Sequence, residues 1–72
     1  MDFQEFIRKC EAKGYGIAAF NTYNLKGENC CYIMIAQKGY SGRFMKEECK
    51  VSELNQCLDF IFERLLRLTT TV

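Results

Sequence analysis

Seventy-two residues with a net charge of +1 suit one small domain and lack the basic excess that drives nucleic-acid binding. Apolar residues make up 49% of the chain and aromatic residues 14%, which excludes a disordered composition. No apolar run reaches the roughly 20 residues of a membrane-spanning helix, and Met1-Asp2-Phe3-Gln4-Glu5 has neither the basic segment nor the apolar block of a secretion signal, so the expectation is a cytoplasmic protein without a membrane partner.

Asp2 to Lys13 reads as a helix. Phe3, Phe6, Ile7 and Cys10 recur at helical spacing, while Gln4, Glu5, Arg8, Lys9 and Glu11 face water. Asp2 suits the N-cap, and Gly14 stands where a left-handed residue closes a helix. Gly16 to Leu25 reads as a strand carrying Ile17, Phe20, Thr22 and Tyr23. Lys26-Gly27 is the expected hairpin turn, and a second strand runs from Glu28 or Asn29 to Gln37. Counting back from a two-residue turn sets Phe20 opposite Ile33, Thr22 opposite Cys31 and Ala18 opposite Ile35 on one apolar face. Asn21 with Tyr32, Tyr23 with Cys30, and Ala19 with Met34 then share the other.

Residues 38–42, with two glycines, read as a loop. Arg43 to Val51 reads as a third strand in which Met45, Cys49 and Val51 alternate with Phe44, Lys46, Glu48 and Lys50. Glu47 breaks the inward set and suggests a sheet edge or a bulge. Extending the last helix back to Lys46 is the competing reading, but Ser52 makes a good N-cap. From Ser52 to Leu68, Leu54, Cys57, Leu58, Ile61, Leu65 and Leu68 form a helical stripe. Phe62 and Leu66 widen it, and Phe60 falls among Gln56, Arg64 and Arg67. Residues 69–72 read as a frayed tail.

The order helix, strand, strand, strand, helix specifies an α+β two-layer sandwich spanning residues 1–72: a three-stranded antiparallel sheet with both helices on its apolar face. A chain this short buries only about 60% of its unfolded surface, so oligomerisation would help it. Five cysteines fit a closed disulfide framework badly, and none are spaced Cys-x-x-Cys. The expectation is reduced thiols packed as small apolar side chains. The sharper alternative is a zinc site built from Cys10, Cys31, Cys49 and Cys57, although structural zinc ligands usually come in close pairs on turns.

Chemistry is sparse. Without histidine the chain lacks the commonest general base, and Gly39-Tyr-Ser-Gly42 lacks the lysine and helix of a phosphate loop. The expectation is a protein that is no enzyme and takes no cofactor or metal. The candidate site is the outer sheet face, where Tyr23, Tyr32, Met34, Phe44 and Lys46 would meet a protein partner, since Tyr, Met and Phe are enriched at interfaces. The bland alternative is an ordinary exposed sheet with cross-strand aromatic pairs. Another alternative stacks nucleic-acid bases on Tyr23, Tyr32 and Phe44, with Lys46 and Lys50 on phosphate. A third uses Cys30 or Cys31 in redox chemistry. Phe60, Phe62 and Leu66 suggest a seam between two copies of the last helix.

The element order resembles that of the double-stranded-RNA-binding domain. That family carries Gly-Pro-x-His in its first strand loop and a lysine-rich run opening its last helix. Here the loop is Asn24-Leu25-Lys26-Gly27-Glu28-Asn29 and the helix opens Ser52-Glu53-Leu54-Asn55, so the resemblance implies fold and not RNA contact. Size and order are also similar to small phage-encoded anti-CRISPR inhibitors. That resemblance implies a protein that blocks a partner's surface without catalysis.

Overall fold

Lys26 and Gly27 hold positive φ angles of 51° and 86°, the twist that a two-residue hairpin turn requires. The Asn24 side-chain oxygen accepts the Gly27 N–H at 3.0 Å and braces the turn. In the computed structural model, which describes residues 1–39 and 45–70, this turn joins β1 (Tyr15–Leu25) to β2 (Glu28–Gln37). Phe20 pairs with Ile33, Asn21 with Tyr32, Thr22 with Cys31 and Tyr23 with Cys30, the expected register.

The expected pairing of Ala18 with Ile35 is wrong. Ile17 pairs with Ile35, Ala19 with Met34, and Ala18 is a bulge between them. The cause lies in the spacing. Ile17 and Phe20 are three residues apart, so a regular strand would send them to opposite faces. One extra residue reverses the phase, and both then pack against the core while Ala18 faces water. Tyr15, at the start of β1, is only 4% exposed and joins the core as well.

The third strand, β3, covers Met45–Lys50, antiparallel to β2, giving the sheet order β1-β2-β3. The expected start at Arg43 and the placing of Phe44 lie outside the described residues. The expected end at Val51 is corrected: Val51–Glu53 form a short 3-10 turn, and Val51 is exposed. Ser52 therefore sits inside that turn instead of capping the helix.

Helix α1 (Phe3–Ala12) begins as expected, with the Asp2 carboxylate accepting the Glu5 N–H at 2.8 Å. It ends on Lys13, and Gly14 follows at φ 88°. Helix α2 (Leu54–Thr70) is the longest element. Both helices cover the same sheet face. Phe6 and Cys10 from α1 meet Leu58, Ile61 and Leu65 from α2 over Ile33 and Ile35 of β2, with Tyr15 and Met45 at the flanks. Phe3 lies against Phe20, ring centres 4.7 Å apart, and Phe62 meets Phe6 edge-on at 6.5 Å. Leu68, assigned to the stripe by spacing, is 54% exposed in the last turns of α2, beyond the buried set.

Glu47 is the charge on the inward face of the edge strand β3, opposite Ile33. Arg64 of α2 reaches over and pairs with it. An inward charge on an edge strand needs water and discourages another strand from docking there. No helix among the described residues is long and apolar enough to cross a membrane.

Leu65 is fully buried and Phe60, on the same helix, is 68% exposed. Leu65→Ala should cost about 2–5 kcal/mol in denaturant unfolding, whereas Phe60→Ala should stay within about 0.5 kcal/mol. Glu47→Val should produce concentration-dependent self-association by light scattering without loss of the far-UV circular dichroism spectrum.

Candidate functional site

With both helices on the inner face, the described residues place no element over the outer one. Strand alternation delivers Ala19, Asn21 and Tyr23 from β1, Cys30, Tyr32 and Met34 from β2, and Lys46, Glu48 and Lys50 from β3 to that side. Tyr32 occupies the middle of this set on the central strand, with Asn21 and Glu48 as its cross-strand partners.

Three contacts fix the Tyr32 ring. The Asn21 side-chain amide donates to its hydroxyl at 2.8 Å. The Tyr23 ring lies 6.4 Å away at a 39° tilt. The Lys46 ammonium stands 5.0 Å over the ring centre, a cation–π arrangement. Tyr23, Tyr32 and Met34 are half-buried by one another and by the surrounding stems. Their ring orientations are therefore set before anything binds, which lowers the ordering cost of an encounter.

The charges on this face balance. Lys46 pairs with Glu48 at 3.4 Å, and Lys50 pairs with Glu28 at 3.2 Å. The Glu28 carboxylate, by hydrogen bond and charge, raises the Lys50 ammonium above its ordinary range. Desolvation beside its neighbours, and then the Glu48 charge, raise the Tyr23 phenol above its usual value.

The structure thus brings together Tyr23, Tyr32, Met34 and Lys46. Phe44 lies outside the described residues. Asn21 and Glu48 complete the group; the signal for both was their cross-strand register with Tyr32, which for Asn21 follows from the turn. Cys30, expected on the open face, is only 9% exposed between its cross-strand partners Tyr23 and Lys50.

The proposed helical seam is not one surface. Phe62 faces α1, against Phe6 and beneath the Lys9 ammonium at 5.7 Å. Phe60 stands two residues away, about 200° around the helix, and is exposed near Cys57 and Arg64 in a hollow with Glu47 and Glu48. Leu66 is half-buried.

Two open hollows of about 470 and 430 Å³ meet at Asn29 and Val51, beside the hairpin turn. Their linings include Glu28, Lys50 and Glu53 in one and Thr22, Tyr23 and Asn24 in the other. Among the described residues no buried side-chain polar atom lacks a partner. Among the described residues no group of three or more His, Cys, Asp or Glu side chains, the four cysteines included, is placed to hold a metal ion.

The chain matches no protein-family model, no curated protein and no solved structure.

Tyr23 ionisation reports that geometry. With its phenol carbon isotopically labelled, an NMR titration should place the Tyr23 midpoint above 10, and Glu48→Gln should move it down by removing one of the causes.

Proposed function

We propose that the protein is a small interaction module, an inhibitor or adaptor, that docks a protein partner on the outer sheet face through Tyr23, Tyr32, Met34 and Lys46. The observation that carries this reading is the Tyr32 ring, held from three directions on a sheet face that no helix among the described residues covers. Aromatic rings with few rotors offer large contact area at low entropic cost. A rim of paired charges around an aromatic centre is the common arrangement of protein interfaces.

The same observations weigh against the nucleic-acid alternative. Lys46 and Lys50 are each matched by a glutamate within 3.4 Å. Phosphate affinity depends on uncompensated cations that release counterions. The double-stranded-RNA-binding resemblance supplies the element order without a basic surface. A homodimer through α2 would rest on Phe60, since Phe62 is engaged with α1. Partner docking on the sheet does not require it.

Site-specific photo-crosslinking tests the face. A crosslinking residue at Met34 should capture a protein in the native host, and one at Glu63 on the helical side should not. Tyr32→Ala with Met34→Ala should abolish the capture while retaining the far-UV spectrum and cooperative unfolding. Loss of the fold would show that the face is core and would end the proposal. A retarded band with RNA or DNA at low salt, abolished by Lys46→Ala, would replace it with the nucleic-acid reading.

A further inference from the structure

The inner face holds a feature that docking does not use. Cys31 of β2 and Cys49 of β3 are direct cross-strand partners, and their sulfurs lie 3.5 Å apart. Cys57 of α2 stands beside Cys49 on the helical side and helps raise its thiol pKa. Cys31 is fully buried, whereas Cys49 and Cys57 are half-exposed toward the β3 edge. Cys10 sits in the core and Cys30 projects to the other sheet face.

We propose that Cys31 and Cys49 form an oxidisable dithiol that a hydroperoxide converts into a cross-strand disulfide tying β2 to β3. Directly opposed antiparallel residues have Cα atoms about 4.5–5.5 Å apart. That spacing lies inside the roughly 4.4–6.8 Å range that a disulfide spans. The sulfurs need to close only from 3.5 Å to a bonded distance of about 2.0 Å, a movement that side-chain rotation supplies.

Cys49 is the attacking group, because it is the more accessible of the two. Its sulfur, deprotonated, attacks one peroxide oxygen; the O–O bond breaks and the other oxygen leaves as hydroxide or alkoxide, which takes up a proton. Cys49 is then a sulfenic acid. The Cys31 sulfur attacks the Cys49 sulfur, the S–O bond breaks, and the Cys31 proton departs with the hydroxyl as water. Two thiols and one hydroperoxide become one disulfide, one water and one water or alcohol. The peroxide is reduced by two electrons, and the sulfur pair supplies them.

Burial, and hydrogen bonds with Cys31 and Cys57, keep the proton on Cys49 above the ordinary thiol range. The thiolate is the nucleophile, so the rate at neutral pH is low and climbs about tenfold per pH unit below that raised value. This makes the pair a sensor of sustained exposure and not a fast peroxidase. Burial also pushes the Cys10 thiol up to about 11, and Cys10 has no thiol hydrogen bond among the described residues.

The experiment uses the full reduced chain and hydrogen peroxide, read by intact mass and by non-reducing tryptic mapping. The expected result is a monomer lighter by about 2 Da, the two thiol hydrogens, with the peptide containing Cys31 linked to that containing Cys49. Cys30→Ser should keep this product, and Cys31→Ser and Cys49→Ser should each abolish it. Cys49→Ser serves as the half-exposed variant if the buried Cys31→Ser unfolds the chain. A link from Cys49 to Cys57, a product lost in Cys30→Ser, an intermolecular link, or oxygen adducts without hydrogen loss would overturn the proposal. A rate that does not change between pH 7 and pH 8 would overturn the assignment of Cys49 as the attacking sulfur.

Discussion

Ile33 and Ile35 on the central strand, packed beneath Leu58, Ile61 and Leu65 of the last helix, are the contact on which the molecule depends. Among the described residues β2 is the strand with a neighbour on both sides. Its inner side chains therefore fix the position of β1 and β3 together, and α2 seals them from water. Burying these side chains contributes roughly 1.5–3 kcal/mol each. Among the described residues Phe6, Cys10 and Cys31 are the other fully buried side chains, and a domain of this size has few such side chains to spare. Every other feature follows from the choice of which sheet face they occupy.

Two consequences sit on opposite sides of the sheet. On the outer side, uncovered polar and aromatic residues are organised by the hairpin register. Asn21 and Tyr32 meet because they are cross-strand partners, and Lys46 reaches the same ring from β3. On the inner side the pairing of β2 with β3 brings Cys31 to Cys49. The turn at Lys26-Gly27 thus sets the β1 side of the presented surface, and the pairing of β2 with β3 sets its Lys46 side and the thiol pair. A one-residue slip between β1 and β2 would turn the β1 side chains to the wrong face, and one between β2 and β3 would part Cys31 from Cys49.

The edges of the sheet are treated differently. β3 is short and carries Lys46, Glu47, Glu48 and Lys50. Glu47 points inward, where Arg64 answers it and water remains close. β1 is longer and uncharged, and its bulge at Ala18 interrupts its regularity. Charge on one edge and a bulge on the other are two routes to the same end, keeping unpaired backbone groups from recruiting other strands.

Element order, the Asp2 cap, the turn and most of the register were legible in the chain, because each rests on interactions between residues close in the sequence or on simple alternation. The chain also contained the sign of the bulge, in the three-residue gap between Ile17 and Phe20, but a local pattern does not say which residue is extruded. Tertiary structure decided that, since only the helical layer makes burial of both side chains worth an unpaired Ala18. It likewise ended β3 at Lys50, turned Val51–Glu53 into a 3-10 lead-in, and separated Phe60 from Phe62 by giving one of them a neighbour in α1. The contact between Cys49 and Cys57 belongs to the same class. It joins a strand to a helix, and the distance between two layers is set by packing, which no periodicity in the chain records.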